Sequence, residues 1–203
     1  IDRAKALVQL PAPPPLSIDE LVAQHKKLNA AGLTSIRYPG ASVEQYHLLQ
    51  QMEQRGLLTI RVNQLLRFGA DNAAAMRDAI AASHLTPDEG DNWLRIGGMK
   101  LGVDGGFEGG WMRQPYAEPW GEHGTYFGVN TMKAAAYTDV VKELNRLGWR
   151  VATHAVGDAA IDEVLAAYEA ANAERSIRGK RWTIEHGFIP QPDQFPRMKA
   201  LDL

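Results

Sequence analysis

The sequence predicts an α/β fold of parallel βα units, and within that class an incomplete (β/α)8 barrel of the TIM type. Three observations predict it. Helical and strand-like segments alternate with short links, the pattern of parallel strands joined by right-handed crossovers. Two units end alike. Residues 149–158 (W-R-V-A-T-H-A-V-G-D) and 181–186 (R-W-T-I-E-H) each close a buried apolar strand on a histidine, and the histidines stand 32 residues apart. That step is close to the ~30 residues of an average barrel unit. Third, the turn after the first strand-like segment (Y-P-G-A-S) lacks the glycine-rich fingerprint of a doubly wound nucleotide-binding sheet. Five strands can be counted, against the eight of a closed barrel.

The elements follow in order. Residues 1–16 carry Pro11, Pro13, Pro14 and Pro15 and read as an extended linker, because proline fixes φ and removes a backbone donor. Ser17 with Glu20 forms a capping box. Ile18, Leu21, Val22, His25 and Leu28 then keep helical spacing as far as Gly32, a C-terminal glycine. Residues 33–37 (L-T-S-I-R) read as the first strand. Ser42 with Gln45 is a second capping box, Tyr46, Leu49 and Met52 form the stripe, and Gly56 ends that helix. Residues 57–62 read as the second strand. An alanine-rich helix over about residues 71–83 precedes a third strand at 94–103, interrupted by Gly97 and Gly98. After a long loop, a helix is expected at about 131–147, with Val140, Val141, Leu144 and Leu147 on one face. The strand at 149–153, a helix over about 159–174 and a strand at 182–186 complete the count.

Composition bounds the rest. The 203 residues are 45% hydrophobic, carry a net charge of −2 and include no cysteine. One domain with a sizeable core is expected. A polyelectrolyte partner, nucleic acid or an anionic membrane, is not. Disulfides and thiolate metal sites are excluded. No apolar run approaches the ~18 residues of a membrane span, and no signal-like segment opens the chain. A cytoplasmic location and a small-molecule partner are the expectation, with self-association into a homo-oligomer left open. The chain opens on Ile1 and closes on Leu203 as if cut from something longer.

His154 and His186 are the first chemical candidates. Strand residues alternate faces, so His154 goes with Ala152 and His186 with Ile184, and both are expected to point inward at adjacent strand tips as metal ligands. Each alone reads equally as a buried, hydrogen-bonded histidine. Glu185 is expected on the opposite face, in a structural role. Lys100 is the third candidate, because a lysine in an apolar strand needs a partner or a chemical change. It is either paired with Asp104 or carboxylated by CO₂ so that the carbamate bridges metal ions. Asp104, at its strand's end, suits a polar or catalytic role at the mouth. Asp158 either orients an imidazole and assists catalysis, or caps the following helix.

The loop at 105–130 holds seven glycines and six aromatics in 26 residues. So long a loop is expected to form a wall over the mouth, with Trp111 and Tyr116 among its substrate contacts and Arg113 as an anion contact. The alternative is a packed Ω-like insertion. The stretch G-G-F-E-G-G lacks the lysine of a phosphate loop. His25, His47, His84 and His123 carry no spacing signal.

K-L-G-V-D-G-G, P-Y beyond it, T-H-A-V-G-D-A-A-I-D and W-T-I-E-H together resemble the amidohydrolase superfamily, in the branch of metal-dependent hydrolases that includes N-substituted formamide deformylases. L-N-A-A-G-L-T-S-I-R is similar to that branch's second barrel unit. The resemblance implies a distorted (β/α)8 barrel with one or two divalent metal ions, usually zinc. By it, Lys100 stands on the fourth strand, His154 on the fifth and His186 on the sixth, so that the five strands would be the second to the sixth. It further implies hydrolysis of a C–N amide-type bond by metal-activated water. The sequence departs from the pattern: it has no H-x-H, and neither the family's last two strands with their aspartate nor its small β-sandwich is present. An internal fragment with little or no turnover of its own is expected. Other readings are a metal-free barrel enzyme using His154 as acid or base, a ligand-binding protein using the aromatic loop, and a purely structural fragment.

Overall fold

The computed structural model describes residues 16–203, so the proline-rich linker expected at 1–16 lies, but for Leu16, outside the described residues. Five parallel strands form one sheet in sequence order: β1 (Ser35–Ala41), β2 (Arg61–Leu66), β3 (Leu94–Gly102), β4 (Val151–Ala155) and β5 (Thr183–His186). The helices between and around them are α1 (Ile18–Ala30), α2 (Val43–Gln54), α3 (Ala73–Ser83), α4 (Ala134–Arg146), α5 (Asp158–Glu174) and α6 (Phe195–Leu201). The sheet curls until Arg37 of β1 reaches Thr183 and Glu185 of β5 across its concave face. The result is a half-barrel, the partial TIM-type architecture that the alternation predicts.

Both capping boxes form as read. Ser17 accepts from the Glu20 amide while Glu20 reaches back to the Ser17 amide, and Ser42 with Gln45 repeats the exchange. The strands shift where polar residues disguise them. β1 runs on through Pro39 and Gly40, which an edge strand tolerates because one side has no ladder to complete. β2 begins at Arg61 rather than at residue 57, and its polar Asn63 and Gln64 sit in the sheet. Asn63 lies against Gly97, where an added Cβ would come within 1.7 Å of its Oδ1, and the β2–β3 register slips by one residue at that point. β4 extends to Ala155, which puts His154 inside the strand rather than past it. α6 is an element that the proline-rich C-terminal segment concealed. Pro196 sits in its first turn, where the missing N–H costs nothing.

The helices cover the outer face of the sheet. Val140, Val141 and Leu144 of α4 and Ile161, Val164, Leu165 and Tyr168 of α5 pack on Val151 and Ala155 of β4. Below them Trp182 is buried edge-on against Tyr168, their ring centroids 4.9 Å apart. No helix among the described residues is long and apolar enough to cross a membrane.

The loop at 105–130 closes on itself. Asp104 bridges Asn130, and the Thr131 amide donates to the Val103 carbonyl, so the chain leaves and re-enters at one point. The Met112 amide donates to Phe127 and the Tyr116 amide to Tyr126 within it.

Candidate functional site

Side-chain alternation along β3 sends Met99, Leu101 and Val103 to the core and leaves Lys100, Gly102 and Asp104 on the concave face. On β4, Thr153 turns to the helices, where its hydroxyl meets Tyr137 at 2.7 Å and Tyr168 at 2.9 Å, so His154 faces the concave side. Register then sets Gly102 level with His154 and His154 level with Glu185. Thr183 and Glu185 face the interior, and Ile184 packs against the core. The alternation expected for β5 is therefore reversed: Glu185 is the inward residue, and strand geometry alone would send His186 outward. His186 reaches the site because its backbone is left-handed, φ 74°, at the strand's end. Its ring meets His154 edge-to-face at 4.6 Å and stacks on Phe188 at 5.7 Å.

Asp104 is the anchor of the mouth. Its carboxylate accepts from the amides of Trp111 (3.1 Å), Val156 (3.0 Å) and Gly157 (2.9 Å) and lies 3.2 Å from His154 Nε2. It ties the start of the loop to the β4–α5 turn. Charge-assisted bonds of this kind are each worth about 1.5–3 kcal/mol. Gly157 is required in that turn, since a Cβ there would fall 1.9 Å from the Trp111 carbonyl. Nε2 of His154 also lies 2.8 Å from the Gly105 carbonyl, which only accepts. In the neutral ring this contact puts the proton on Nε2 and leaves the lone pair on Nδ1. Asp104 raises the pKa of His154, burial opposes it, and the Gly105 carbonyl adds to it. Burial lowers that of His186, as do His154 and Lys100 nearby.

Lys100 is 8% exposed and its Nζ has no hydrogen-bond partner. The sequence-based pairing with Asp104 does not form, because Asp104 is taken up by backbone amides and His154. Burial pushes the amine down to about 8; Glu185 opposes that shift, and Arg67 and Arg37 add to it. A cavity of about 440 Å³ opens here, lined by Lys100, Gly102, Asp104, His154, His186 and Arg67 among others. Glu185 is committed to Arg37. Among the described residues no three His, Asp, Glu or Cys side chains gather as a metal cluster. Two adjoining imidazoles and an unpartnered buried amine still fit a cation or the group that recruits one, as an open rather than a closed ligand set.

Four sequence-based candidates lie elsewhere. Asp158 is the first residue of α5 rather than its cap, which is Gly157. Its carboxylate accepts from the Arg113 amide at 2.7 Å and its backbone carbonyl from Gln194. The Arg113 guanidinium is held bidentately by Asp162 (2.6 and 2.8 Å) and by Asp193 (3.0 and 2.7 Å). Trp111 lines a separate cavity of about 400 Å³ between α4 and α5, with Ala134, Ala159 and Glu163. Tyr116 donates to the Gly110 carbonyl and packs on Tyr126. Of the loop, Gly105 and Gly106 border the His154 cavity, and Phe107 packs edge-on against Phe188, beside His186. Arg67, Arg37 and Glu185 are the residues that sequence reasoning missed. The signal for Arg67 is the period of two continued through Asn63 and Leu65, and it is visible only when β2 begins at Arg61.

Comparison with known proteins gives the family. A family model described as the amidohydrolase family matches residues 3–203. The chain is 29% identical over 190 residues to an N-substituted formamide deformylase of Arthrobacter pascens, covering 88% of this chain and 33% of that protein. It is 31% identical over 111 residues to the protein LONG AFTER FAR-RED 3 of Arabidopsis thaliana, covering 55% of this chain and 19% of that one. An uncharacterized metal-dependent hydrolase from Pyrococcus furiosus superposes with a TM-score of 0.73 at 28% identity, over 93% of this chain and 38% of that structure. The chain thus spans about a third of the length of the deformylase.

Proposed function

The chain belongs to the amidohydrolase family, and from that premise we propose that its half-barrel carries part of the metal site of a hydrolase acting on C–N amide-type bonds. The observation that carries the reading is the His154–His186 ring contact at 4.6 Å beside the unpartnered Lys100 Nζ. His154, through Nδ1, His186 and Lys100, once free of its proton, are the residues that would hold a divalent metal, zinc being one that such donors suit. Bound there, a divalent metal supplies Lewis acidity and lowers the pKa of water. This chain's own groups do the positioning. Asp104 and the Gly105 carbonyl fix the His154 tautomer and ring plane, as outer partners of metal-binding histidines commonly do. Arg37 pairs with Glu185 across the concave face, and the His186 ring stacks on Phe188. The remaining strands of the barrel, with the acid that protonates the leaving nitrogen, belong in this proposal to the rest of a longer protein, in line with the length of the relatives.

The test is zinc titration of the chain by calorimetry, followed by hydrolysis of an N-substituted formamide by the longest natural form of the protein. Stoichiometric binding that disappears in His154→Ala with His186→Ala supports the reading. Zinc binding unchanged in that double variant overturns it. The 3.2 Å contact of Asp104 with His154 favours one other reading, a metal-free barrel enzyme in which His154 is the acid or base. Activity that survives exhaustive chelation would select it.

A further inference from the structure

We propose that Arg67 is a specificity-determining residue that binds an anionic group on the substrate, so that the preferred substrates are amides carrying a carboxylate near the scissile bond. The inference rests on the site proposed above and names the substrate class that this site selects.

Arg67 follows β2 and lines the same cavity as Lys100, His154 and His186. Its amide donates to the Ala41 carbonyl, which fixes the backbone. The side chain makes no hydrogen bond or ion pair among the described residues. The side chain is exposed and lies along the wall of the cavity. A Cβ built on Gly40 would lie 3.9 Å from Arg67 Cδ, and one built on Gly102 3.8 Å from Nη2 and 3.6 Å from His154 Cβ. The stem thus runs beside Gly40, and the guanidinium and His154 flank one point above Gly102.

The charge count points to the ligand. Glu185 is paired with Arg37, and the Asp104 carboxylate is taken up by three backbone amides and His154. Arg67 is therefore a cation in the cavity with no anion assigned to it, next to the position where the reacting amide would sit. A guanidinium recognises a carboxylate bidentately, which fixes orientation as well as charge. The loop arginine that the sequence suggested for this role, Arg113, is bound to Asp162 and Asp193.

Ligand-observed NMR with the purified, zinc-supplemented chain tests it, using N-formylglycine and its uncharged counterpart N-propylformamide. The chain should bind N-formylglycine about tenfold more tightly, the worth of one good charge-assisted contact. Arg67→Met should bring the two to parity, and Arg67→Lys should recover part of the preference. Unaltered thermal melts of both variants establish that the fold is kept. Equal affinity in the wild type, no detectable binding of N-formylglycine, or a preference that persists in Arg67→Met overturns the inference. An Arg67-dependent carboxylate preference, together with zinc binding that is unchanged in His154→Ala with His186→Ala, would sink the metal-site reading and leave the Arg67 anion contact standing.

Discussion

The outer and concave faces of the sheet are lined by the same five strands, yet they carry different chemistry. To the helices the strands present Ile36, Val62, Ile96, Met99, Leu101, Val103, Val151, Ala155 and Ile184, and their one hydrogen-bonded hydroxyl there, Thr153, is matched by two tyrosines. To the interior they present Arg37, Lys100, His154 and Glu185, with Asp104 and Arg67 just beyond the strand ends. Folding free energy comes mainly from burying apolar surface. One face supplying it leaves the other free to hold groups that cost stability, such as an amine in a half-enclosed cavity. The lesson is a division of labour by side-chain parity rather than by segment.

The largest expected effect lies on the outer face. Trp182→Ala removes a ring that is 1% exposed and packed on Tyr168, at the start of β5. A loss of about 3–5 kcal/mol is expected in denaturant unfolding, as for other buried tryptophans cut to alanine. A loss below about 1 kcal/mol would mean that the outer face does not carry the fold, and the comparison would break.

On the concave face the sign should reverse. Lys100→Met keeps the length and apolar stem of the side chain and removes an amine that has no partner. Removing an unsatisfied buried polar group is stabilising, here by about 1 kcal/mol, because nothing is left unpaired in its place. The same variant should weaken zinc binding in the calorimetric titration. Stability and site function would then move in opposite directions from one substitution. A destabilised Lys100→Met would show that Lys100 is held by more than its strand.

How far the sequence revealed these two faces follows from the same parity. Apolar stripes and both capping boxes were legible because Ser17, Ser42 and their partners three residues on act locally. His154 and Lys100 were legible as polar residues in apolar strands. Glu185 and His186 were exchanged, because alternation assumes strand dihedrals and His186 has left them, at φ 74°. Arg67 was hidden by a four-residue misplacement of β2, since Asn63 and Gln64 look like loop residues until Gly97 is seen beneath one of them. Asp104 was placed correctly at the strand end, but no local pattern says that its acceptors would be filled by amides 52 and 53 residues away.

The smallest expected effect lies at the solvent edge, outside both faces, and sharpens the comparison by its pH dependence. Arg113 binds Asp162 and Asp193 together. Burial works to raise the pKa of Asp162, but the Arg113 and Gln194 hydrogen bonds outweigh it, and the group ends below its ordinary value. Asp193 is lowered chiefly by its bond to Arg113. A carboxylate depressed in the folded state stabilises it above the unfolded pKa of about 3.9 and loses that contribution as pH falls through the folded value. Wild type and Arg113→Gln should therefore differ in melting temperature at pH 7, by the modest amount that solvent-screened ion pairs give, and converge in acid once pH has fallen through the lowered values of both carboxylates. Parallel melting curves across that range would mean that Arg113 acts through its packing alone. A difference as large as that of Trp182→Ala would put a charged edge on a par with the core, contrary to the parity argument.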